Sequence, residues 1–408
     1  MKILFVTNEV PFPPDNGVRI VSYNAMRLMK DKGHDLALAI LTEEDGDLTQ
    51  RFEKIQSFCL DGCSFLVKLF PKNKWIIQFW AILKNKIYPI ERYNSDTFRR
   101  KLMLLIEDFK PDVIHFDIIT MTQYIDIVPE GIGTVASIND SYCLTLENLF
   151  LNGQYKGLQY IYRKLQFYQT RYYEKTMYPR FDKVHVMTDI DASFLQSLSP
   201  RISTSVIPNG VASQLFDVTI NTVNKQDIIF VAKLVGDNVY SLNEFLEISW
   251  PKIHENSPDT KLFVVGQVTE DAFYLKNKHH NTDGVIFLGY VENLEDAYSR
   301  CGVAIVPINK NCGLINKAIE AMAAGLAVVG FENSFCSLLG AVNRRHFILV
   351  QNYESMPQAI LELFNDSELF NDIKHSAHKY AIENYSWESR IKAYDDMYND
   401  SLLKHKLN

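Results

Sequence analysis

Residues 302–332 read GVAIVPINKNCGLINKAIEAMAAGLAVVGFE, and the spacing within them sets the fold class. Val303 to Pro307 is an apolar run with the length of a buried strand, and Asn309 to Gly313 is a turn cluster. From Leu314 the period becomes helical: Leu314, Ala318 and Met322 share one stripe, Ile315 and Ile319 a neighbouring one. Gly325 stops the helix, and Leu326 to Val329 reads as the next buried strand. Within this small, apolar helix stands one carboxylate, Glu320.

A strand, a glycine-bearing turn and a helix that opens at the carboxyl edge of a parallel sheet form an anion site, because the first N–H groups of a helix lack internal partners. Glu320 lies about two turns further in, on a face shared with Asn316 and Lys317, where its oxygens can accept hydrogen bonds from vicinal ribose hydroxyls. A nucleoside diphosphate fits both features. The plainer reading is an ion pair between Glu320 and Lys317 at i,i−3. Ala321, Ala323 and Ala324 favour the ligand role, since they imply tight surroundings in which an unpaired carboxylate is expensive.

Outward from this stretch the chain alternates strands and helices. The first half opens with a strand at Lys2 to Thr7, a loop at Asn8 to Asn16, a helix from Val18 to Lys32 ended by Gly33, and a strand at Asp35 to Leu41. Val21, Ala25, Leu28 and Met29 give that helix an apolar stripe to lay on a sheet. Further strands are expected at Val113 to Phe116, Thr134 to Ile138 and Lys183 to Met187, with helices near Asp96 to Phe109 and Leu158 to Tyr178. The turn Pro208-Asn209-Gly210 marks a boundary, after which the alternation restarts: strand Ile228 to Val231, helix Leu242 to His254, strands Lys261 to Gly266 and Val285 to Gly289, helix Leu294 to Cys301. This pattern is α/β, with two doubly wound parallel sheets. The expected domains are 1–205, 206–385 and a closing helix within 386–408 that crosses back to the first domain. Two such sheets joined by a hinge enclose a ligand in a cleft.

A chain of 408 residues exceeds what one core ordinarily supports, which agrees with two domains. The net charge of −7 argues against a general nucleic-acid binder, because affinity for a polyanion needs clustered Lys and Arg. No apolar run has the length of a membrane span, and the chain starts at once with a strand in place of a charged leader, so a cytoplasmic protein is expected. The six cysteines are read as reduced thiols, and Cys312 stands out because the proposed helix N-terminus beside it lowers a thiol pKa.

The segment 72–101 is distinct. Lys72, Lys74, Lys84, Lys86, Arg92, Arg99, Arg100 and Lys101 interleave with aromatic and aliphatic residues, and Trp75, Phe79, Ile82 and Leu83 follow helical spacing. Two readings fit: an interfacial helix lying on an anionic membrane surface beside a lipid-linked acceptor, or a helix packing its aromatic stripe on its own domain.

Taken together, these motifs resemble bacterial glycosyltransferases of family 4, retaining enzymes of the GT-B architecture with two facing Rossmann-like domains. The resemblance spans nearly the whole chain. It is carried by KILFVTNEVPFPPDNGVRIVSYNAMRLMKDKGHD at the N-terminus, PDVIHFD, SVIPNGV, LFVVG, VIFLGYVENLEDAYSRCGVAIVP, CGLINKAIEAMAAGLAVV and ENYSW, in that order. It implies that Glu320 holds the nucleotide ribose, that the backbone from Gly313 through Leu314 to Ile315 and the neighbouring Cys312 and Asn316 line the donor site, and that Asn16 and Gly17 face the donor sugar. His115 and Asp140 are placed toward the acceptor, Lys233 and Lys317 on the leaving diphosphate. From the residues alone, His115 only ends a buried strand, and Asp140 is equally a helix cap.

Three positions depart from the family pattern. Cys312 replaces a glutamate, Ile315 a basic residue, and Asn238 falls where a second cation is usual. The implied activity is transfer of a sugar from a nucleoside-diphosphate sugar to a hydroxyl of a glycan or lipid-linked acceptor in surface polysaccharide synthesis, with no resident cofactor and no metal. The departures motivate a rival reading, a catalytically weak or inactive partner of the same fold that binds glycan or a sister transferase. A nucleotide-sugar epimerase is a third, for which the chain lacks the carboxylate and histidine set that proton abstraction needs.

Overall fold

A computed structural model describes the chain apart from residues 45–47, 70–72, 85, 152–156, 219–225, 309–314 and 407–408, and apart from the side chains of 151, 158, 271 and 404–406. It divides into two compact units, Met1–Pro208 with Arg390–Asn408, and Asn209–Ser389.

The first unit holds β1 (Lys2–Thr7), β2 (Asp35–Thr42), β3 (Ser64–Lys68), β4 (Val113–Asp117), β5 (Gly133–Asn139), β6 (Lys183–Val186) and β7 (Thr204–Val206), all parallel in the order β3-β2-β1-β4-β5-β6-β7. Strand alternation sends Leu4, Val6, Ile114, Phe116, Ala136 and Val184 to one core. On the other face lie Phe5, paired in register with His115, and Ser137, paired with His185. That face is met by the helix Trp387–Lys406, whose Tyr394 and Tyr398 are fully buried against His185 and His115. Lys32 and Lys183 pair with Asp395 and Asp400 of the same helix. The residues of this helix from Arg390 onward belong to the first unit.

The second unit holds β8 (Ile228–Val231), β9 (Leu262–Val265), β10 (Val285–Gly289), β11 (Val303–Val306), β12 (Ala327–Gly330) and β13 (Ile348–Leu349), parallel in the order β10-β9-β8-β11-β12-β13. Its strands are apolar on both faces and feed two clusters, one around Trp250 and Ile360, the other around Met322 and Ala377. This is why they read as continuous hydrophobic runs. In both units the strand order reverses once, between β1 and β4 and between β8 and β11, and such switch points gather ligands at the carboxyl ends of parallel strands.

Some elements differ from the expected ones. The helix expected over 242–254 is a longer rod, Asp237–Glu244, Phe245–Ser249 and Trp250–Asn256, with a π-helical middle piece just before Pro251. A proline nitrogen cannot donate, so the hydrogen-bond ladder is disturbed there. The edge strands β3, β7 and β13 went unread because they are half-buried or only two residues long, which leaves little periodic signal.

Candidate functional site

The helix opening the site is Asn316–Ala323, two residues later than the spacing predicts. Ala318, Ala321, Met322 and Ala323 are buried, and among the described residues no side chain caps the N-terminal end. Cys312, Gly313 and Leu314 lie outside the described residues. Ile315 is described: its side chain is buried in the core of the second unit, which leaves only its backbone for a ligand. A basic side chain here would have to be drawn out of that core, so the departure from the family pattern has a packing reason.

Glu320 is half-buried, and loss of water pushes its carboxyl above the usual range, against the pull of Lys317. Among the described residues no donor lies within hydrogen-bonding distance of this carboxylate. Two neighbouring polar atoms share the condition. The Tyr298 hydroxyl, fully buried and close enough to feel the charge of Glu320, has no partner, and neither has Oδ1 of the buried Asn209. Asn209 comes from the Pro208-Asn209-Gly210 turn and donates through Nδ2 to Asn316 Oδ1 at 3.4 Å. In the sequence this turn marks a boundary and one of the family-like motifs; the burial of its asparagine beside Asn316 is visible only in the structure.

Lys317 acts on Glu320 through its charge, while its ammonium is seated elsewhere. Its Nζ donates to Asn238 Oδ1 at 2.8 Å and lies 5.8 Å from the Phe230 ring centroid. Asn238 in turn donates through Nδ2 to the Lys233 carbonyl at 3.0 Å. One amide thus ties the turn after β8, which bears the exposed Lys233, to the Asn316–Ala323 helix. Read along the sequence, Asn238 stands for a missing cation; in space it carries the Lys317 ammonium. The turn approaches closely for a reason: Gly266, at φ +131°, ends β9 where a Cβ would stand 2.0 Å from the Ala232 carbonyl oxygen.

On the first unit, Asn16 caps the helix Gly17–Asp31, accepting from Arg19 N at 3.0 Å and donating to Glu9 at 2.9 Å. Arg19 also binds Asp15 and Glu44, so the loop before the helix is braced by ion pairs. Gly17 has nothing within 4 Å of where a Cβ would stand, so its own packing does not require glycine.

His115 lies in the core. It is fully buried, Nδ1 shares a hydrogen bond of 2.8 Å with the Tyr398 hydroxyl, and Nε2 is 3.4 Å from Asp117. The ring is thus held on one side by the closing helix, while its buried Nε2 has no hydrogen-bond partner among the described residues. Asp140, by contrast, is exposed, and its carboxyl is pushed up to about 6 by desolvation and by Asp191. It does not cap the helix Tyr142–Leu151; Ser141 does, accepting from Leu144 N at 3.1 Å while Glu174 accepts from Ser141 Oγ and Cys143 N. Among the described residues no group of three or more His, Cys, Asp or Glu gathers as a metal site.

Comparison with known proteins places this geometry. Residues 225–366, most of the second unit, match the family described as glycosyl transferases group 1. No curated protein matches the chain. Among solved structures, sucrose-phosphate synthase from Thermosynechococcus elongatus superposes with a TM-score of 0.68 at 14% identity, covering 98% of both chains. A glycosyltransferase from Rickettsia africae gives 0.67 at 15% identity, again over 98% of each. Anabaena HepE in complex with UDP-glucose gives 0.61 at 12% identity, over 99% of this chain and 100% of its own. The likeness is one of fold: two α/β units with parallel sheets, as in GT-B glycosyltransferases.

Proposed function

We propose that this chain is a retaining glycosyltransferase that moves a sugar from a nucleoside-diphosphate sugar to a hydroxyl of a glycan or lipid-linked acceptor. The observation that carries the reading is the Lys317–Asn238–Lys233 bracket beside the unpartnered carboxylate of Glu320, inside the segment that matches glycosyl transferases group 1. Glu320 receives the ribose hydroxyls, and the uncapped helix end with Lys233 and Lys317 receives the diphosphate. Tyr290, exposed at the carboxyl end of β10 on the same sheet edge, offers a face to the base. From the family resemblance Asn16 and Gly17 are assigned to the donor sugar and Asp140 to the acceptor.

In the front-face reaction the bond from the anomeric carbon to the phosphate oxygen breaks as the acceptor oxygen bonds the same carbon on the same side. The released phosphate oxygen takes the acceptor proton. The protein supplies charge stabilisation for the leaving diphosphate and no nucleophile, so neither metal nor cofactor enters this scheme. We place the reaction in the cytoplasm, in surface polysaccharide synthesis.

The test is a thermal-shift screen of UDP, GDP, dTDP and CDP. One diphosphate is expected to raise the melting temperature of the wild type, Glu320→Ala to abolish the rise, and Asn238→Ala to weaken binding about tenfold by releasing Lys317. An undiminished shift in Glu320→Ala removes this carboxylate from the site. Binding without release of nucleoside diphosphate in the presence of any acceptor favours the inactive-partner reading instead.

A further inference from the structure

We infer that the helix Lys74–Leu83 and the outer side of the helix Gly157–Met177 form a docking face for an anionic lipid bilayer, with a headgroup seat between them. The first helix is turned inside out relative to a core helix. Only Ile77 and Ala81 are buried, while Trp75 is 78% exposed and Phe79, Trp80 and Leu83 stand in solvent with it. The second helix continues the patch: Ile161, 64% exposed, is followed at helical spacing by Leu165, Tyr168 and Tyr172, all exposed. Isolated apolar residues on a surface need no explanation, but two touching helices that both turn apolar stripes outward mark a partner.

The two helices touch through Gln78 and Tyr162, and Tyr162 accepts from Gln166, which accepts from Arg163 at 2.8 Å. Beside this chain lies a cavity of about 530 Å³ lined by Lys74, Trp75, Tyr88, Tyr142, Tyr162 and Arg163, among others. Aromatic walls with a guanidinium and an ammonium at one site suit a phosphate carried on an apolar tail.

Charge decides the occupant. Residues 72–91 and 157–173 contain seven Lys and Arg against one carboxylate, Glu91, in a chain whose net charge is −7. Lys84 and Lys86 pair with Glu91, Lys84 lying over the Trp80 ring as well, and Lys164 leans over Tyr160 with its stem along the apolar layer and its head toward the polar rim. A second copy of the chain docked symmetrically would set this basic face against itself, which is repulsive. An anionic bilayer is complementary in both charge and hydrophobicity. No described helix is long and apolar enough to cross a membrane, so the contact is peripheral.

Co-sedimentation of the full chain with vesicles tests the inference, independently of any sugar transfer. The wild type is expected to pellet with phosphatidylglycerol–phosphatidylcholine vesicles and to remain in solution with phosphatidylcholine alone. Trp75→Ser with Trp80→Ser should weaken binding at least about tenfold without lowering the melting temperature, since both side chains are exposed. Arg163→Gln should reduce the preference for anionic lipid. Failure to pellet with phosphatidylglycerol, equal binding to both vesicles, or binding indifferent to the double substitution overturns the proposal. So does a dimer, seen by light scattering, that the double substitution dissociates.

Discussion

Glu174 shows how one residue holds two elements and sets a pH dependence. It is fully buried in the first unit, accepts from Ser141 Oγ at 2.8 Å and Cys143 N at 3.1 Å, and so fastens the start of the helix Tyr142–Leu151 beside Asp140. Burial outweighs those hydrogen bonds and raises its carboxyl to about 7, from 4.5. Between these values the folded chain keeps a proton that the unfolded chain has released, so the stability contributed by Glu174 is full below pH 4.5 and is lost as pH rises through about 7. Glu174→Gln keeps an acceptor and a donor in place and removes the titration. Relative to wild type the variant is expected to gain up to about 3 kcal/mol on moving from pH 5 to pH 8. Urea unfolding at the two pH values measures this, and parallel curves would show that the carboxylate stays ionised in the core.

At the scale of elements, backbone approach is the controlling quantity in the second unit. Gly266 combines a left-handed φ of +131° with a Cβ position 2.0 Å from the Ala232 carbonyl oxygen, so any side chain must push β9 away from the turn bearing Lys233. Gly266→Ala is expected to lower stability by at least about 2 kcal/mol and to weaken nucleotide binding with it, because strain and the displaced turn act together. Chemical denaturation with a parallel calorimetric titration checks both. Normal stability with normal binding would mean that the turn relaxes freely. Gly210 is constrained in another way, with a Cβ position 2.5 Å from the Trp387 ring, so the turn Pro208-Asn209-Gly210 seats directly against Trp387.

For the whole molecule, two units with separate cores should melt as two calorimetric transitions. A bound nucleoside diphosphate should raise only the transition of the second unit, since ligand stabilisation falls on the unit that binds it. Tyr398→Phe should lower only the other one, by about 1–3 kcal/mol, because it leaves His115 Nδ1 buried without its hydroxyl partner. A single transition moved equally by both changes would show that the closing helix couples the units into one cooperative body.

The sequence by itself determined the central strands of both sheets, the helix that carries Glu320 and the clustering of Asn316, Lys317 and Glu320 on one face. Hydrophobic periods of two and 3.6 residues are local, and a residue's neighbours within a strand or helix follow from them. Tertiary structure alone decided which of those faces found a partner. Asn238 reads as a lost cation until Lys317, 79 positions away, is seen seated on it. From the residues alone His115 only ends a buried strand, and that its Nδ1 meets the hydroxyl of Tyr398, 283 positions away, is decided by the packed structure. The aromatic stripe from Trp75 allows core or surface equally, and only the finished packing leaves it outside. Local spacing fixes what a segment presents; contacts distant in sequence fix what that surface meets.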